Sequence, residues 1–458
     1  MATTRSKSGG TPSDPLTGDP ALAEATAALR EANLAFAAAH QGEGAGRQPV
    51  HTVYGGAQLF GADSVPKLGR LALAALDRFA PDADALGRAL DIGAHPALAR
   101  IEARVRGKLE REPIEDFRID FEDGYGNRPN AEEDGHARAV VKELAAGGAA
   151  GTLSPFIGMR VKPLNEELRA RSVRTLDIVT TGLVEAAALP ERWVVTIPKI
   201  TIIEQVEYTV ALLRGLERKL GLADRTLSFE AMVETPQIVL DTSGRALLPR
   251  LLAASDGRLR GAHFGTYDYT AGINITAAHQ RMRHPACDFA KHFMQVAFAG
   301  TEVWRSDGST TVMPVPVHRA AEGLTLSDAQ EAENTASVHA AWKLHFDDVR
   351  HSLAGGFYQG WDLHPAQLVS RYGALYSFFL EGIESAGARL SNFVQKAAQA
   401  TLVGDVFDDA ATGQGLLNFF LRGINSGAIT EDEALAMTGL TADDFRSRSF
   451  VKIMKARA

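Results

Sequence analysis

From Val50 onward, short apolar runs alternate with amphipathic stretches of helical spacing, and this alternation constrains the chain more than any other feature. The candidate strands are Val50 to Tyr54, Phe117 to Phe121, Ile157 to Val161, Trp193 to Ile197, Leu227 to Val233, Gly261 to Phe264, Val312 to Val315 and Gly360 to Leu363. Eight such runs with helical spacers favour an α/β fold of the (β/α)8 TIM barrel type over a doubly wound sheet. Two runs end in carboxylates, Glu234 and Asp268, separated by roughly 35 residues, which suits one strand-helix-strand step and brings consecutive strand ends to one rim. A carboxylate pair on that rim is too small to cage calcium. It suits Mg²⁺, with Mn²⁺ as the alternative ion, because Mg²⁺ keeps several waters and open positions. The competing readings are a helix cap for Glu234 and a polar turn for Asp268.

The 458 residues, 45% hydrophobic and 23% charged, are enough for one barrel and an appended domain. The expected division is a tail and N-terminal helix over 1–45, a barrel over 46–370 and a helical cap over 371–458. Met1 to Pro20 is rich in Ser, Thr, Gly and Pro and has no apolar h-region, so it reads as a disordered tail and not a signal peptide. Ala21 to Gln41 is Ala-rich and helical in pattern, and Gly42, Gly44 and Gly46 follow as a linker, since a dinucleotide fingerprint would have to follow a strand. Cys287 stands alone, which excludes an internal disulfide framework and fits a reducing cytoplasm. A net charge of -8 argues against general nucleic-acid binding, and nothing in the sequence reads as a membrane span.

Several other run ends carry polar residues that a packed core would not choose. Asp120-Phe121-Glu122-Asp123-Gly124 gathers carboxylates that would repel one another without a cation, which places Glu122 and Asp123 in or next to the metal shell. Arg160 closes the third run and could neutralise a carboxylate or enolate oxygen with its rigid donor fork, or tie the rim to one of these acids. Lys199, after Pro198, could form a Schiff base or a structural ion pair. His364 either touches the site or holds the Pro365 turn. His339, His345 and His351 recur every six residues, which spreads them around a helix and disfavours a metal trio.

At these positions the chain resembles the superfamily of citrate lyase β-subunits, HpcH/HpaI aldolases and malate synthases. Asp120 to Gly124, Arg160, Pro198-Lys199, Val233-Glu234-Thr235, Gly265 to Asp268 and His364-Pro365-Ala366-Gln367 occur in that superfamily's order. The resemblance implies a TIM barrel, Mg²⁺ on Glu234 and Asp268, and Arg160 facing the reacting carbonyl. It also implies that backbone amides around Gly265, Thr266, Tyr267 and Asp268 hold the carboxylate of a 2-oxo or hydroxy acid, with Lys199 and His364 beside it. Glycine permits the close approach that such an anion nest needs.

Further on, Phe407-Asp408-Asp409-Ala410-Ala411-Thr412 resembles the M-E-D-A-A-T segment of malate synthases, which implies Asp409 as the base that deprotonates an acyl thioester. The other reading is an N-cap. Asp307 to Pro314 resembles their glycine-rich strand before a proline, whereas Thr266-Tyr267 at the metal aspartate and Val161-Lys162-Pro163 after Arg160 differ from their pattern. The resemblance implies a Mg²⁺-dependent carbon-carbon lyase or Claisen-type synthase acting on a small 2-oxo acid and a coenzyme A thioester, in a homo-oligomer. A pyruvate or phosphoenolpyruvate aldolase needs the metal pair without Asp409, and a non-catalytic binding protein would keep only a relic of the site.

Overall fold

A computed structural model of the chain describes residues 22–40, 42, 46–395, 401–403, 406–408 and 410–457. Eight parallel strands close into a barrel in sequence order: β1 (His51–Gly56), β2 (Asp116–Asp120), β3 (Phe156–Arg160), β4 (Trp193–Ile197), β5 (Ser228–Val233), β6 (Leu259–Phe264), β7 (Trp304–Ser309) and β8 (Gln359–Asp362). Hydrogen bonding of β8 to β1 completes the ring. Strand β2 shows how the sequence builds the wall. Phe117 and Ile119 join the apolar core shared with the helices, while Asp116, Arg118 and Asp120 point inward, and all five residues are buried.

The seventh strand corrects an expectation. It is Trp304–Ser309, not Val312 to Val315. Its polar residues are satisfied from outside the barrel: Lys291 Nζ donates to Asp307 at 3.0 Å and Ser352 Oγ donates to the same carboxylate. The run of valines carries Pro314 and Pro316, which lack the amide a ladder needs, and Val317 is 62% exposed.

Three helices, Ser64–Phe79, Ala83–Leu90 and Leu98–Arg111, lie between β1 and β2. The expected boundary at 370 falls inside the helix Gln367–Glu381, which packs on the barrel helices Asp328–Ala354 and Leu98–Arg111. Beyond Gly382 come the helices Ile383–Gln395, Ala410–Asn425, Glu431–Thr438, Ala442–Ser447 and Phe450–Arg457. The sequence suggested no strand here, but Thr401–Val403 (β9) and Val406–Asp408 (β10) pair antiparallel. Three-residue strands are too short to show a period.

These C-terminal helices sit under the barrel, at the strands' N-terminal ends. Arg422 Nη1 donates to Gln48 Oε1 at 2.6 Å, Asn425 Nδ2 donates to Gln48 O at 2.8 Å, and Arg422 lies over the Tyr358 ring just before β8. A separate unit holds the helix Ala23–Ala39, every residue of which is exposed. No helix among the described residues is long and apolar enough to cross a membrane.

Candidate active site

The C-terminal ends of β2 to β6 bring most of the expected residues together. Arg160 is 2% exposed and sits between Tyr54 and Trp361, its guanidinium carbon 4.8 Å and 5.5 Å from their ring centroids. Asp120 takes two arms of its fork, from Nε at 2.7 Å and Nη2 at 2.5 Å. The third arm, Nη1, lies 3.1 Å from Glu122 Oε2 but outside hydrogen-bonding geometry, so it is buried without an acceptor. Arg160 therefore does tie the rim to an acid and still keeps one donor free.

Lys199 has a left-handed backbone, φ +52°, which is strained for a residue with a side chain. That geometry lets its amide donate to Glu234 Oε1 at 2.8 Å while its ammonium bonds Glu122, lies 3.0 Å from Asp123 Oδ2, and lies 3.7 Å from Asp268 Oδ2. Burial opposes its charge, but Glu234 and Glu122 outweigh burial and raise its pKa, so the ammonium stays protonated. Burial lifts Glu122 in spite of Arg160 and Lys199, whereas Lys199 holds the more open Asp123 below its ordinary value against its own burial.

Glu234 is buried, and that burial, reinforced by the charge of Asp268, pushes its carboxyl up to about 8. Gly265 is required beside it: a Cβ there would lie 2.5 Å from Glu234 Cβ and 2.6 Å from Oε2. An acid whose ionisation is opposed by burial and by a neighbouring carboxylate marks a place for positive charge, and a pair of carboxylates is a donor set that Mg²⁺ accepts while keeping waters. Among the described residues no group of three or more His, Cys, Asp or Glu side chains is placed to hold a metal, so the pair fits an ion that takes the rest of its shell from water and a bound acid.

Thr266 Oγ1 is buried without a hydrogen-bond partner, and Gly308 leaves it room, since a Cβ at Gly308 would lie 2.3 Å away. The Tyr267 hydroxyl accepts from Thr311 N at 3.1 Å, which turns it toward the segment after β7. His364 stands apart from the acids: its Nδ1 accepts from Ala366 N at 3.2 Å, burial lowers its pKa, and it lines a cavity with Gly55, Phe60 and Leu368. Asp409 lies outside the described residues. His339, His345 and His351 each meet a different partner, Phe79 O, Ser370 Oγ and Asp288.

Sequence reasoning overlooked Tyr54, Asp120 as the holder of Arg160, and Trp361. Asp120 stands two residues before Glu122 in the same acidic segment, and Trp361 follows Gly360 inside an expected strand, so an in-out alternation drawn along each strand would have pointed both inward.

A family model described as DUF6986, a domain of unknown function, matches residues 29–453. The chain belongs to this family. No curated protein matches this DUF6986 chain. Among solved structures it is similar to a citrate lyase from Burkholderia xenovorans LB400, with 19% identity over 75% of this chain and 93% of that one and a TM-score of 0.52, a likeness of fold. It is also similar to the protein CitE from Mycobacterium tuberculosis in complex with magnesium, acetoacetate and coenzyme A, with 14% identity, coverage of 83% and 98%, and a TM-score of 0.46. The Haloferax volcanii malate synthase magnesium/glyoxylate complex gives 14% identity, coverage of 89% and 99%, and a TM-score of 0.45.

Proposed function

We propose that this DUF6986 protein is a carbon-carbon lyase or Claisen-type synthase that works through an enolate on a small 2-oxo acid and a coenzyme A thioester. The observation that carries the reading is the half-used guanidinium of Arg160, buried beside a rim where Glu234 and Asp268 crowd one another. Glu234 and Asp268 would hold Mg²⁺ or Mn²⁺, which when bound polarises a carbonyl as a Lewis acid. Arg160 Nη1 would donate to the oxygen on which charge develops, in a pocket whose aromatic walls exclude water. Amides around Gly265 to Asp268 and the Thr266 hydroxyl would bind the acid's carboxylate. Lys199 would keep Glu122 and Asp123 neutralised beside it.

Asp409 is our candidate for the base that takes the α-proton of the thioester. The helix after it, Ala410–Asn425, is fastened at its far end to Gln48 below the barrel and packs on other C-terminal helices. A base on that domain would then serve the upper rim of a second copy, in keeping with a homo-oligomer. Asp409→Asn should slow exchange of the α-protons of acetyl-coenzyme A with solvent deuterium by at least a hundredfold, on the order expected for a general base, while Asp408→Asn costs much less. Mixing Asp409→Asn with Arg160→Lys chains should restore part of the turnover. Full exchange in Asp409→Asn would remove the base and leave an aldolase that relies on the metal pair alone.

A further inference from the structure

Below the expected site, the barrel holds a second polar layer that the mechanism above does not use. His263, on β6, pairs through Nε2 with Glu230 Oε2 at 3.1 Å, and Glu230 also accepts from Arg118 Nη2 at 2.9 Å and from Thr196 Oγ1 at 3.3 Å. His263 is 2% exposed, and among the described residues its Nδ1 has no hydrogen-bond partner. A buried polar atom left unpaired costs free energy, and the contact to Glu230, which His263 shares with Arg118, uses Nε2 alone and leaves Nδ1 unexplained.

Register fixes the height of this ring. His263 lies beside Met232 on β5 and Ser306 on β7, two residues below Gly265 on its own strand and so one layer under the Gly265 and Glu234 level. Tyr54 reaches the same layer, since its hydroxyl approaches Met232 Sδ at 3.7 Å while its ring faces Arg160. The imidazole thus belongs to the layer one step below Glu234, beside Met232. One nitrogen is braced and the other is enclosed without a partner, so a donor or acceptor that reached this layer would find an unsatisfied group.

We propose that His263, oriented by Glu230, is a specificity-determining residue that bonds an oxygen substituent on the carbon next to the carbonyl of the bound 2-oxo acid. The inference rests on the oxo-acid reading above and narrows it: the preferred acid carries a hydroxyl or carboxylate at that carbon where pyruvate carries only hydrogen. A site built to bond such an oxygen discriminates against the analogue that lacks it, because the buried partner is then left unpaired.

Hydroxypyruvate and 2-oxobutyrate test this, being near in size and differing in a hydroxyl against a methyl group. Calorimetry with Mg²⁺ present should show hydroxypyruvate binding at least about tenfold tighter to the wild-type chain. His263→Leu should bring the two affinities together, and His263→Gln, which keeps a donor, should restore part of the preference. In the wild-type protein the His263 ring nitrogen resonances, assigned with His263→Gln, should move on saturation with hydroxypyruvate, a readout that needs no variant to fold well. Equal affinities in the wild-type chain, or a preference that survives His263→Leu with the ring resonances unmoved, would overturn the proposal while the oxo-acid reading stands. Binding of neither acid would remove both.

Discussion

Two arginines enter the barrel from neighbouring strands, and their partners make them opposites. Arg118 on β2 is saturated: Nη1 donates to Asp116 and also to Phe117 O at 3.4 Å, and Glu230 takes Nε at 3.2 Å and Nη2 at 2.9 Å. Arg160 on β3 gives Nε and Nη2 to Asp120 and keeps Nη1 for something else, under two aromatic rings. Both guanidiniums are buried and both carry raised pKa values, Arg118 through Asp116 and Glu230 and Arg160 through Asp120, each against the cost of burial. Charge and burial therefore do not distinguish a structural arginine from a working one. The count of unspent donors does.

The largest effect should come from removing the saturated one. Arg118→Leu takes the guanidinium from between Asp116 and Glu230 in the interior, leaving only His263 beside Glu230, and should destabilise the fold by about 3–5 kcal/mol, read as a lower denaturant midpoint. A midpoint close to wild type would mean that the lower layer admits water or protons freely, and the contrast with Arg160 would lose its basis. Next in size is Arg160→Lys, which keeps the charge and loses the planar fork. Turnover should fall by roughly a hundredfold while the denaturation midpoint changes little, since a lysine still answers Asp120. An unaltered rate would make Arg160 a second Arg118. Smallest should be Tyr54→Phe, which keeps the ring over Arg160 and removes only the long contact to Met232 Sδ. A change in turnover beyond about twofold would show that the Tyr54 hydroxyl touches the bound molecule, because a contact so long contributes little on its own.

Much of this was legible in the chain itself. Seven of the strands overlap the apolar runs that announced them, because strands buried on both faces need apolar residues on the outer one. Strand β7 was not legible: Trp304 to Ser309 is held by Lys291 and Ser352, neighbours only in space, and no local pattern reports them. The acids and the lysine of the rim could be named from the sequence, yet the division of labour among them could not. That Asp120 spends two arms of Arg160, and that Lys199 reaches Glu122 and Glu234 at once by a left-handed turn, depends on distances across four strands. His263 gave no signal, since a histidine before Phe264 in an apolar run reads as ordinary filling.

The pairing of Arg118 with Glu230 also bears on how the barrel comes into being. One group is on β2 and the other on β5, with two strands between them, so the pair forms only when the two halves of the barrel have come together. A chain divided between β4 and β5 would give one piece whose guanidinium keeps Asp116 and lacks Glu230, and another whose Glu230 keeps His263 and lacks Arg118. The Arg118–Glu230 bond therefore joins the two halves across the interior, a contact that neither half can make alone.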